Sequence, residues 1–129
     1  IGHAREGEML GDLCASVEKH VSKNHFAVVR EFVGHGVGKK LHEPPQVPNY
    51  RPATNLPRLK SGMILAIEPM VNLGVPGIKL LDDDWTVVTA DGKASAHFEH
   101  TVLITSDEPE VLTWRKPSMI DDVFTFKKN

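Results

Sequence analysis

A chain of 129 residues with a formal net charge of −2 has the size of one ordinary domain, and its charge gives no electrostatic basis for binding nucleic acid or an anionic membrane. Its single cysteine, Cys14, excludes an internal disulfide and favours a reducing, cytoplasmic setting. No apolar run reaches the roughly 20 residues that span a bilayer, and no signal peptide is visible.

The sequence starts at Ile1 rather than Met, which raises the expectation of a processed chain or a piece of a longer one. Leu10, Leu13, Cys14, Val17 and Val21 recur at helical spacing. They predict a helix over 10–23 with one apolar stripe, Cys14 being a small core residue and Asn24 a stop. FAVVREF (26–32) reads as a strand that runs into GHGVG (34–38), where glycines allow tight turns or a close backbone approach. HEPPQVPNYRP (42–52), with its four prolines, reads as an extended loop.

After Ser61-Gly62, strands are expected over 63–71, 77–81, 85–90, 94–105 and 110–115, with GVPG (74–77) and ADG (90–92) as turns between them. DDD (82–84) reads as a solvated turn without the ligand spacing of a calcium loop, and Trp85 after it as a packing residue or the wall of a pocket. The tail, IDDVFTFKKN, has no clear period. One helix followed by a run of antiparallel strands makes the chain α+β.

Two carboxylates stand out in these strands. MILAIEPMV (63–71) carries Glu68 on a face with Ile64, Ala66 and Met70, and SAHFEHTVLIT (95–105) carries Glu99 on a face with Ser95, His97, Thr101 and Leu103. An ionised carboxylate among apolar neighbours is costly, and two facing each other repel unless one is protonated or a cation lies between them. His35, between Gly34 and Gly36, is a candidate third ligand, and imidazole with carboxylates suits Mn²⁺, Fe²⁺, Co²⁺ or Zn²⁺. Each glutamate taken alone is more readily read as solvated or paired with Lys or Arg, and His42, His97 and His100 as ordinary hydrogen-bonding residues. The positions 35, 68 and 99 form no local metal motif. GHGVGKK lacks the spacing of a phosphate loop.

The blocks GHGVGKKLHEPPQVPNY, GMILAIEPMVN, DDDWTVVTADGKASAHFEHTVLI and VLTWRK, in this order, closely resemble the C-terminal half of type I methionine aminopeptidases, across residues 1–117, with 118–129 a tail. The resemblance implies one half of a pita-bread fold: a curved antiparallel sheet with an outer helix, and an active site between two pseudo-symmetric halves. It implies metal-activated water attack on the first peptide bond of a peptide or nascent protein, releasing N-terminal methionine. His35, Glu68 and Glu99 match the family's metal ligands, Glu99 being the bridging carboxylate and Glu68 also a proton carrier. His42 matches a histidine that contacts the substrate near the scissile peptide, and Trp85 a residue lining the methionine pocket. Leu41 stands where relatives often carry Phe.

The resemblance also implies two divalent ions (Co, Mn, Fe or Zn) held by five ligands, two of them aspartates in the N-terminal half. The second metal site is therefore incomplete here, and the expectation is a fragment, or a chain needing a complementary half. An open sheet edge and an uncovered apolar face are expected with it. A non-catalytic pita-bread binding module and an Xaa-Pro aminopeptidase relative are the alternatives.

Overall fold

A computed structural model describes residues 1–115; the tail at 118–129 lies outside them. Among the described residues one helix, α1 (Leu10–Lys23), precedes ten short strands: β1 (Ala27–Val28), β2 (Gly34–Gly36), β3 (Glu43–Val47), β4 (Ile64–Ile67), β5 (Met70–Asn72), β6 (Ile78–Leu80), β7 (Val87–Thr89), β8 (Ser95–His97), β9 (His100–Leu103) and β10 (Glu110–Val111). All pairings are antiparallel, as expected of an α+β chain: a five-stranded sheet ordered β10-β9-β4-β2-β3, a three-stranded sheet ordered β1-β5-β8, and the hairpin β6-β7.

The helix forms where the apolar stripe predicts it and ends at Asn24. Leu10, Leu13 and Cys14 are fully buried and join Val47, Leu65, Ile67, Val102 and Ile104 in one core. That core fastens α1 to the five-stranded sheet. After β1, Arg30 reaches Glu18 of the helix at 2.5 Å and lies over the Tyr50 ring at 4.5 Å.

Several strand assignments need correction. The segment 42–52 is not all loop: Glu43–Val47 is a strand at the edge of the larger sheet. At an edge a proline need not donate to a ladder. FAVVREF contributes only Ala27–Val28, because β1 pairs with β5 alone. Trp85 and Thr86 leave the 85–90 strand because the Asp83 carboxylate takes both their backbone N–H groups, turning the chain at DDD. The 110–115 strand shrinks to Glu110–Val111. Trp85 does not pack into the sheet: 86% of it is exposed.

The two long strands are also broken, at Glu68-Pro69 and at Phe98-Glu99. The register is the same on both sides of the break, with Ile67 facing His100 before it and Met70 facing His97 after it. Glu68 therefore faces Glu99, and Pro69 faces Phe98. Proline has no N–H to give the ladder, so pairing lapses there, and the chain passes from the five-stranded to the three-stranded sheet. The Phe98 N–H still donates to the Pro69 carbonyl at 3.1 Å.

Candidate metal centre

Strand alternation places Glu68, Glu99 and His97 on one face of this broken hairpin. His35 joins that face from β2, where it is paired with Ala66, two residues before Glu68. GHG is needed here for space. A Cβ on Gly34 would collide with the Ala66 carbonyl oxygen, and one on Gly36 with the Pro44 carbonyl oxygen. The pairing of β2 with β3 shifts between His35 and Gly36, an irregularity of the kind that re-aims a side chain. Beneath the break, buried Asn49 donates from Nδ2 to the Glu68 carbonyl at 2.9 Å, fixing the backbone that carries the carboxylate.

Glu68 is the hub. His35 Nε2 lies 3.2 Å from its Oε1, and His97 Nε2 lies 3.7 Å from its Oε2. Glu68, His97 and Glu99 each offer a ligand atom within 4.8 Å of the other two. His42 stands beside this group, its ring centroid 4.0 Å from that of His35. Trp85 lies on the exposed turn before β7 and lines neither of two cavities found beside the broken hairpin.

The electrostatics are those of a site short of positive charge. His35 Nδ1 donates to the Gly36 carbonyl at 2.9 Å, and a carbonyl can only accept. With Nδ1 engaged in this way, Nε2 is the ring atom that His35 turns toward Glu68. The buried Oε1 has no hydrogen-bond partner among the described residues, although His35 is at ion-pair distance. Burial and the Glu99 charge push the Glu68 carboxyl above the usual carboxylate range, against the opposing pull of His35, His97 and His42. An orphaned carboxylate oxygen facing an imidazole nitrogen, with a second carboxylate opposite, fits a divalent cation.

The structure thus brings together His35, His42, Glu68 and Glu99, all singled out from sequence. It adds His97, to which the sequence reading gives only a hydrogen-bonding role. The signal for His97 is present in SAHFE: two residues before Glu99, it must share that residue's face. Beside the hairpin runs an apolar groove of about 900 Å³ whose walls include Val17, Val21, Phe26, Val71, Leu73 and Phe98.

Residues 1–106 match the family described as metallopeptidase family M24. A protein named methionine aminopeptidase 1 from Bacillus subtilis is 54% identical over 110 residues, 85% of this chain and 44% of its own length. A methionine aminopeptidase from Clostridium perfringens is 56% identical over 104 residues, 81% of this chain and 42% of its own. The crystal structure of methionine aminopeptidase from Thermotoga maritima, 48% identical, superposes with a TM-score of 0.81 over 86% of this chain and 45% of that one. The fold is accordingly that of one part of a pita-bread enzyme, and the chain spans less than half the length of these relatives.

Proposed function

The chain belongs to metallopeptidase family M24, and on that premise we propose that it carries one wall of the active site of an aminopeptidase that removes N-terminal methionine from peptides and nascent proteins. The observation that carries this reading is the meeting of Glu68 and Glu99 across the broken hairpin, with imidazoles at both oxygens of Glu68. His35, Glu68 and Glu99 would hold the metal. The relatives' names supply the substrate class. The single cysteine supports a cytoplasmic setting.

A divalent cation bound there supplies Lewis acidity, making water a nucleophile near neutral pH and polarising the scissile carbonyl. The chain's own residues do the rest. Glu68, held by Asn49 through its carbonyl, takes the proton of the attacking water and returns it to the leaving amine as the carbon–nitrogen bond breaks. His42, beside His35, hydrogen-bonds the substrate near the scissile peptide.

A two-metal centre needs more donors than these. The test is hydrolysis of Met-Ala-Ser with Mn²⁺ or Co²⁺, by this chain alone and by this chain mixed with the part of the Bacillus subtilis relative that precedes the matched region. The chain alone is expected to release little or no methionine. The mixture should release it, and Glu99→Gln should abolish the release. Turnover by the chain alone at a full-length relative's rate would remove the need for further donors. Cleavage of Xaa-Pro substrates in place of Met-Ala-Ser would replace the substrate assignment.

A further inference from the structure

Resting on the metal reading above, we infer that His97 is itself a metal-coordinating side chain, joining His35, Glu68 and Glu99 around the one divalent cation that this chain alone would hold. The geometry favours ligation over an ion pair. His97 Nε2 stands 3.7 Å from Glu68 Oε2, too far for a hydrogen bond. The imidazole makes no other side-chain hydrogen bond among the described residues. Two donors each about 2.1 Å from one tetrahedral ion lie about 3.4 Å apart. The separations of 3.2 Å for His35 and 3.7 Å for His97 from the Glu68 oxygens fall on either side of that value.

The placement of His97 is not accidental to the fold. It ends β8 facing Met70, one residue past the Pro69 break, where the chain leaves the regular ladder and its side chain points back over Glu68. Its side chain is 45% exposed, against 14% for His35. An ion could enter from the His97 side without opening the core. Nitrogen beside two carboxylates selects ions such as Co²⁺, Zn²⁺ or Mn²⁺ over the oxygen-seeking Ca²⁺ and Mg²⁺.

The test uses the 129-residue chain, freed of metal and titrated with Co²⁺ while visible absorption is followed, and with Zn²⁺ while the imidazole ¹⁵N resonances are followed. The wild type is expected to take up one ion, with a shift of the His97 Nε2 resonance. His97→Ala should weaken Co²⁺ binding by at least the roughly tenfold to hundredfold lost when a residue that merely supports a ligand is removed. It should also change the Co²⁺ spectrum, while far-UV circular dichroism stays unchanged. His97→Gln, which keeps the side chain's bulk, covers the case in which the alanine variant fails to fold. Unchanged affinity in whichever of these variants folds, with normal uptake by the wild type and loss in Glu68→Gln, would overturn the role of His97 and leave the metal reading standing. No uptake by the wild type would overturn both.

Discussion

Glu68 faces Glu99 across a hairpin that keeps its register through a break at Pro69. Two acids set opposite each other weaken a metal-free fold and invite a cation. The sign follows from the carboxyl of Glu68, pushed above its ordinary value of 4.5 by burial and by Glu99. A folded-state value above the unfolded one means that the contribution to stability is complete below about pH 4.5 and is lost as pH rises through the folded value.

Glu68→Gln escapes that loss. In EDTA at pH 7 the variant is expected to be more stable than wild type by up to about 1 kcal/mol, the scale of relieving one like-charge pair across strands. The gap should close toward pH 4. With saturating Co²⁺ the order inverts, because ligand binding to the native state then stabilises only the wild type. Urea midpoints at both pH values, with and without Co²⁺, check this. The same order under all four conditions would mean that no cation belongs between the two acids.

Gly36→Ala is expected to cost about 2–3 kcal/mol, at the upper end for overpacking. The added carbon would meet main-chain carbonyls of Pro44 and Glu43, which cannot swing aside as a side chain can. The edge strand β3 must move, and with it the irregularity that aims His35. Co²⁺ affinity should fall alongside stability. Gly2→Ala, with nothing within 4 Å of the added carbon, is the control and should stay within about 0.5 kcal/mol. Equal urea midpoints for the two variants would dissociate the glycine from close packing.

The helix and the two acidic faces were legible because each rests on local periodicity. The stripe from Leu10 to Val21 and the alternation around Glu68 and Glu99 need no knowledge of distant contacts. The break between the two sheets was not legible. Pro69 signals it, yet an apolar run with one proline also reads as a single strand, and only the pairing with Phe98 and Glu99 shows where the ladder lapses. The strand at Glu43–Val47 was hidden because prolines argue against strands except at an edge, and edges are decided by sheet order. His97 carries only a hydrogen-bonding role in the sequence because a histidine next to Phe has many ordinary uses, and only the approach of Glu68 from the facing strand gives it another.

Asn49→Ala is expected to cost about 1–3 kcal/mol, the price of a buried carbonyl left without its donor. Asn49 is 1% exposed, and its Nδ2 holds the Glu68 carbonyl, so the loss falls on the backbone that sets the carboxylate. The structural loss and the metal loss should appear together: a lower urea midpoint and weaker Co²⁺ uptake. Asn49→Asp should be worse at neutral pH, since it removes the donor and adds a negative charge beside Glu68. An alanine variant with full metal affinity would show that Glu68 holds its place without this anchor.

Cys14 offers a test of the core itself, apart from any metal. It is fully buried within the stripe of α1, and burial pushes its thiol from 9.0 up to about 12. At pH 8 the folded thiol is almost wholly protonated, and the thiolate is the reactive form. Modification by a disulfide reagent should therefore be slow in native buffer and fast in urea, its rate tracking the unfolded fraction. The raised value also sets an alkaline limit: the contribution to stability is complete below about pH 9 and is lost as pH climbs toward 12. Cys14→Ala, which costs roughly 1–2 kcal/mol in lost packing, should lack that alkaline slope. Rapid modification of the native chain at pH 8 would place Cys14 at the surface and detach α1 from the sheet against which it packs.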